Sequence, residues 1–152
     1  MVCAYKDSPY LGECLASLSA QKGSSSRVVV CTSTPSDYIF RVAGDYGVPV
    51  HVSPRPSGIA SDWNFALESA ASEYVTVCHQ DDIYREDYSA RMVAAMDRSP
   101  RVLIGICGNT EHTSHGPREL QLNLRIKRFL LKRAFRSTVI QDTSRVRRRL
   151  LS

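Results

Sequence analysis

Apolar and polar positions alternate along this chain in two rhythms. Met1–Tyr5 is a short apolar run with strand character. Over Pro9–Ala20, Leu11, Cys14, Leu15 and Leu18 recur at the three- and four-residue spacing of one helix face. Pro9 suits a first helical turn, where its missing N–H is not needed. Arg27–Cys31 is a β-branched run of buried-strand type. Thr32–Ser36 carries turn chemistry, Asp37–Asp45 reads as a short helix, and Pro49–Val52 as a third strand. Ser57-Gly58 breaks the chain. Ala60–Ala71 then predicts a helix burying Trp63, Ala66, Leu67 and Ala70. Glu73–Cys78 predicts a fourth strand, His79–Tyr84 a polar loop, Arg85–Arg98 a helix ending near Pro100, and Val102–Cys107 a fifth strand.

Strands separated by helices of this length predict an α/β fold with a largely parallel sheet and helices on both faces, a Rossmann-like nucleotide-binding half. Residues 108–117 read as a polar loop. Glu119–Phe135 reads as a basic helix with Leu120, Leu124, Phe129, Leu130 and Leu131 as its apolar set. The expected organisation is an α/β domain over 1–117 and a basic helical C-terminal segment over 118–152. No internal repeat is visible.

Charge sharpens this division. Residues 1–117 hold nine Lys and Arg against 13 Asp and Glu, whereas 118–152 hold 11 against two. The net +5 of the whole chain therefore says little about what the acidic body binds. Five cysteines without a CxxC pair argue against a disulfide framework or a zinc site. They read as small buried hydrophobes in a reducing compartment. With no signal-peptide pattern and no apolar run long enough to span a bilayer, the expected location is cytoplasmic.

In an open parallel sheet, ligands sit outside the carboxyl ends of the strands. That rule selects Ala4–Asp7, Thr32–Asp37, Ser53–Asn64 and His79–Tyr84. Asp81 and Asp82 are the most informative pair. Two adjacent carboxylates repel, and a hard divalent cation shared with diphosphate oxygens offsets the repulsion. Their other reading is an N-cap and first-turn acid before the helix at 85–98. Ser57-Gly58 followed by Asp62-Trp63-Asn64 suits close backbone approach and a helix N-terminus facing a phosphate or a base edge. It equally suits a plain glycine turn and cap with Trp63 in the core. Tyr5 offers a ring face and a hydroxyl, or is an ordinary half-buried tyrosine.

Taken together, Ala4-Tyr5-Lys6, Glu13–Leu18, Val28–Val30, Gly58–Ala70 and Ser72–Asp82 resemble, in order and spacing, the family 2 glycosyltransferases of GT-A fold. The resemblance covers roughly residues 1–98, with weaker support to about 107. It implies that Ala4 and Tyr5 line a nucleotide pocket, with Gly58 and Asn64 along the base and ribose. Asp81 and Asp82 would meet the ribose, the diphosphate and a Mn²⁺ or Mg²⁺ ion. Ser33 and Asp62, at the second and third strand ends, complete the expected substrate-binding set. Three departures stand out. Thr32-Ser33-Thr34 replaces the family's acid after the second strand. Trp63 stands where Arg often precedes the Asn. His79 replaces the first acid of the metal motif and could itself be a ligand or a hydrogen-bonded pocket histidine.

The implied reaction moves a sugar from a nucleoside diphosphate, UDP-type by expectation, to a hydroxyl of a glycan or lipid-linked acceptor, with inversion and a carboxylate general base. Glu111 and Glu119 lack a supporting context as that base. The expectation is therefore a shortened chain that keeps the donor site without the catalytic base. The alternatives are a non-catalytic nucleotide-binding domain and a nucleotidyltransferase. The latter would show a Gly-rich basic phosphate loop where Tyr5-Lys6-Asp7-Ser8-Pro9 stands. Apolar residues among Lys and Arg over 119–136 suggest peripheral membrane contact at the inner face. Nucleic acid is not an expected partner, because no recognised binding signature accompanies the basic segment. An incomplete sheet edge and an apolar tail suggest self-association into a homo-oligomer.

Overall fold

The computed structural model describes residues 1–98, 103–110, 112–113 and 116–117. The chain divides into two compact units, Met1–Val93 and Ala94–Ser152. The elements are β1 (Val2–Ala4), α1 (Leu11–Ser19), β2 (Val30–Thr32), α2 (Asp37–Asp45), β3 (Val50–Val52), α3 (Ile59–Glu68), β4 (Cys78–His79) and α4 (Tyr88–Asp97). A two-stranded hairpin, β5 (His112–Thr113) and β6 (Gly116–Pro117), follows in the second unit.

The four strands of the first unit form one parallel sheet in the order β3-β2-β1-β4. Val2 lies opposite Val30 on one side and Cys78 on the other. Strand alternation then sorts the side chains. Val2, Ala4, Val30 and Cys78 join Leu11, Cys14, Leu15 and Leu18 of α1 and Ile39, Val42 and Ala43 of α2 in the main core. On the other face, Val29 and Cys31 meet Ala66 of α3, with Met1, Cys3 and Phe65 at the margin. Helices thus cover both faces, as the alternating pattern predicts. Leu11, Leu15 and Ile39 are fully buried, each contributing roughly 1.5–3 kcal/mol of transfer free energy.

Local chemistry sets the element ends. Ser36 caps α2, its hydroxyl accepting from the Ile39 amide at 3.2 Å. Gly47, at φ 62, ends the helix in a left-handed turn. The Val48 amide returns to the Ala43 carbonyl at 2.9 Å, and Val48 enters the core.

Several sequence expectations are corrected. The apolar face of α3 is rotated, since the helix buries Asp62 and Ala66. Trp63 and Leu67 remain 39% and 49% exposed. The strand expected over 73–78 pairs only at Cys78–His79, because β1 offers it no longer partner. The fifth strand expected over 102–107 is absent from the described residues 103–107, which form no strand and leave Leu103, Ile104 and Ile106 exposed. Cys107 is exposed rather than buried, and all five cysteines are free. Residues 108–117, expected as loop, include the β5–β6 hairpin. The basic helix expected over 119–135 lies outside the described residues.

Candidate functional site

The carboxyl ends of β1, β2 and β4 converge on the segment Tyr5–Ser8, which is tied to its neighbours by polar contacts. The Gln80 side chain, just past β4, accepts from the Tyr5 amide at 3.1 Å and donates to the Tyr5 carbonyl at 2.9 Å. One side chain thereby continues the β1–β4 ladder where β4 has ended. Across β2, the Lys6 amide donates to Thr34 Oγ1 at 2.7 Å, and the Thr34 amide donates to Thr32 Oγ1 at 3.0 Å. Ser36 Oγ donates to Asp7 Oδ1 at 2.6 Å, and the Tyr38 hydroxyl donates to the Ser8 carbonyl at 2.8 Å. These contacts hold Lys6 at φ 55, a left-handed conformation that disfavours a side chain.

Asp81 and Asp82 follow Gln80 directly and are exposed. They precede the first residue of α4, Tyr88, by at least six positions, so the helix-capping reading of the pair falls. The loop that carries them is anchored to α1. Cys14 Sγ donates to the His79 carbonyl at 3.3 Å, and the Tyr84 amide donates to Ser17 Oγ at 3.1 Å. Gln21 bonds the Arg85 carbonyl and accepts from Ser89, and Lys22 pairs with Glu86. Beneath the pair lie Cys14, Cys78 and Tyr84. Burial pushes the Cys14 thiol up to about 12, reinforced by Cys78, Asp82 and Asp81. Burial likewise raises Tyr84, with Cys78 and then Asp82 adding to it. The loop therefore rests on protonated, neutral groups.

Among the described residues no three His, Cys, Asp or Glu side chains cluster as a metal cage. The donor set offered is two exposed carboxylates. That set fits a hard Mg²⁺ or Mn²⁺ ion whose other positions are taken by diphosphate oxygens and water. His79, the other ligand considered, packs edge-on against Trp63 with ring centroids 5.2 Å apart.

The remaining sequence-predicted residues separate by environment. Ala4 is buried in the main core, so its side chain faces α1 rather than an open pocket. Tyr5 is 47% exposed, with the Lys6 ammonium 5.1 Å from its ring centroid. Gly58 forms the extended N-cap of α3, and a Cβ placed there meets open space. Asn64 is exposed. Asp62 is buried, at 8% exposure, and its Oδ1 has no hydrogen-bond partner. Ser33 Oγ is also buried and unpartnered. Gln80 and Thr34, which fix the first strand end, were not read from the sequence as site residues. The only signal for Gln80 is its place beside the acid pair. A cleft of about 460 Å³ lies at the opposite, amino ends of β2 and β3, lined by Arg27, Val28 and Pro49 among others, away from these groups.

A family model described as glycosyl transferase family 2 matches residues 1–151. The chain belongs to glycosyl transferase family 2. That match extends well past residue 107, where the resemblance in motif order and spacing ends. Among solved structures, the chain is similar to S. aureus TarS, at TM-score 0.58 and 23% identity over 74% of this chain and 22% of that one. It is similar to TarS 1-349 in complex with UDP, at TM-score 0.57 and 23% identity over 75% of this chain and 37% of that one. A third neighbour, TarS 1-349 in complex with UDP-GlcNAc, has TM-score 0.55 and 23% identity over 74% and 36%. This chain thus spans well under half the length of these neighbours. The likeness establishes the fold expected for the family. No curated protein matches the chain.

Proposed function

We propose that this chain carries the donor site of a glycosyltransferase that moves a sugar from a UDP-type nucleoside diphosphate to a hydroxyl of a glycan or lipid-linked acceptor, with inversion. The observation that carries the reading is the Gln80 clamp. It fixes Tyr5 beside the exposed Asp81–Asp82 pair at the carboxyl end of the sheet, where α/β folds bind nucleotides. Family membership supports the reaction class. The UDP and UDP-GlcNAc complexes of TarS support the nucleotide.

In this proposal the half-exposed Tyr5 ring packs on the base, and Gly58 and Asn64 lie along the nucleotide. Asp81 and Asp82 would hold a Mg²⁺ or Mn²⁺ ion, whose charge favours departure of the diphosphate. Gln80 keeps the pair in register with Tyr5, so that base and diphosphate are held at a fixed separation. The general base is assigned to the acceptor-side region. Glu111 and Glu119 lie outside the described residues. Cytoplasmic location, self-association and membrane contact through 119–136 complete the proposal.

A thermal-shift titration with UDP, GDP and TDP, each with and without Mn²⁺, tests it. A ligand at about 100 times its Kd stabilises by roughly 2.7 kcal/mol, a shift of several degrees. The expected result is a UDP shift that needs the metal and is lost in Asp81→Asn. No shift with any nucleotide, in folded protein, overturns the reading.

A further inference from the structure

The cleft of about 460 Å³ at the amino ends of β2 and β3 opens at the end of the sheet opposite Asp81 and Asp82. Its volume falls in the range of small-molecule sites, about 300–1,000 Å³. The Gly47 turn forms one wall, fixed where the Val48 amide donates to the Ala43 carbonyl at 2.9 Å. The end of α1 and the segment that follows it form another. Leu18, Val28 and Pro49 give the cleft an apolar lining, and Ser24 and Ser26 bring two hydroxyl oxygens 3.1 Å apart.

Charge sets this cleft apart from the rest of the first unit. Residues 1–117 carry more acids than bases, yet no carboxylate lines the cleft, and its one charged side chain is Arg27. Arg55, Arg85 and Arg91 pair with carboxylates, and Arg41 lies over the Tyr38 ring. Arg27 has no such partner among the described residues. A guanidinium presents its N–H donors in a planar fork that fits a phosphate or a carboxylate. Serine hydroxyls donate to the same oxygens. The apolar wall beside them fits the C–H face of a ring. A cationic occupant is excluded, because no carboxylate answers it.

Gln21 joins the cleft to the acid loop. It lines the cleft, and its side-chain amide donates to the Ser17 carbonyl at 3.2 Å and to the Arg85 carbonyl at 2.7 Å. Its Oε1 accepts from the Ser89 amide at 2.8 Å and from the Ser89 hydroxyl at 2.9 Å. Both amide hydrogens and the carbonyl oxygen are thus in use. Gln21 meets the cleft as a fixed wall, and an occupant packed against that wall opposes its departure from Arg85 and Ser89.

We propose that this cleft binds a small ring-bearing oxyanion, a sugar phosphate or a sugar acid, through Arg27 with Ser24 and Ser26, and that its occupancy steadies the acid loop through Gln21. The site is separate from the donor site, and neither part of the inference depends on nucleotide binding.

The test follows the backbone amide signals of the isotopically labelled 152-residue chain as glucose 6-phosphate, glucuronate, the neutral methyl glucoside or inorganic phosphate is added. Saturable shifts at Ser24, Arg27 and Gly47 are expected with the charged sugars, the tighter of the two naming the oxyanion. Methyl glucoside is expected to bind about 10–100-fold more weakly, the range of a hydrogen bond to a charged group. Arg27→Gln is expected to bring the charged sugars down to the affinity of the neutral one. Because Arg27 is exposed, the unliganded melting temperature should not change. At saturation the Ser89 amide is expected to exchange with solvent more slowly by about threefold or more. Equal binding of charged and neutral sugars overturns the oxyanion assignment, and so does charged-sugar binding that survives Arg27→Gln. Inorganic phosphate that binds as tightly as glucose 6-phosphate overturns the ring-bearing class. Absence of saturable shifts with every probe overturns the site. Unchanged exchange at Ser89 in the bound state overturns the link through Gln21. Should Arg27→Gln fail to fold, the comparison of charged with neutral sugars on the unmodified chain decides the matter.

Discussion

Gln80 and Tyr5 are joined by two hydrogen bonds from one side-chain amide to both backbone polar groups of the other residue. A side chain here does the work of a strand residue, and the acid pair begins at the next position. Gln80→Glu keeps the acceptor for the Tyr5 amide, loses the donor to its carbonyl and adds a negative charge beside Asp81. Metal-dependent nucleotide binding is expected to weaken at least tenfold, while the melting temperature changes little because the contact is exposed. Titration of UDP with Mn²⁺ by calorimetry checks this, and unchanged affinity would show the clamp to be dispensable.

Lys6 is held at φ 55 by the hydrogen bond from its backbone amide to Thr34 Oγ1. A left-handed residue with a Cβ costs roughly 1 kcal/mol that glycine does not incur. Lys6→Gly is therefore expected to raise stability by about that amount, partly offset by glycine's greater unfolded-state freedom. Urea unfolding measures it, and a clear loss of stability would show that the Lys6 side chain contributes more than its strain.

Leu15 is fully buried between α1 and the sheet. Leu15→Ala is expected to cost about 2–5 kcal/mol through lost transfer energy and the cavity left behind. Because α1 carries Ser17 and leads into Gln21, the anchors of the acid loop, nucleotide affinity should fall with it. A variant of unchanged melting temperature would contradict the packing described.

The cysteines give a pH prediction. Burial raises Cys14 to about 12 and Cys3 to about 11, above their ordinary value of 9.0. A raised folded value contributes stability that is complete below the unfolded pKa and is lost as pH rises through the folded one. The melting temperature should thus be flat from neutral pH to about pH 8 and fall above pH 9. Over the same range iodoacetamide should modify exposed Cys107 rapidly and buried Cys14, Cys31 and Cys78 only on unfolding. Rapid labelling of Cys14 in the folded protein at pH 8 would refute this.

The order of strands and helices in the first unit was legible from periodicity, because the apolar spacing of α1 and the β-branched runs each imply one buried face. Leu11, Cys14, Leu15 and Leu18 are buried as that spacing requires. Strand lengths were not legible, since a strand extends only as far as its neighbour pairs. Val75 and Val77 have strand propensity, but β1 has only three residues. The same holds for Leu103, Ile104 and Ile106, whose apolar run finds no ladder among the described residues. The rotation of α3 was missed because Trp63 and Leu67 outweighed the alternative face in hydropathy, although Asp62 and Ala66 are one turn apart. In the site, the acid pair was visible as adjacent residues. Gln80 was invisible as a clamp because its partner is 75 positions away and the bond runs from side chain to backbone. No pattern along the chain encodes such a contact.

The two faces of the sheet are unequally secured. Twelve buried residues unite α1, α2 and one face, whereas three buried residues, Val29, Cys31 and Ala66, hold α3 to the other. Local opening free energy follows buried apolar contact. Amides of α3 should therefore exchange with solvent faster than those of α1, and the helix carrying Asp62 would be the first to lift. A nucleotide lying along Gly58 and Asn64 would slow that exchange in proportion to its affinity, so protection of α3 would report occupancy directly.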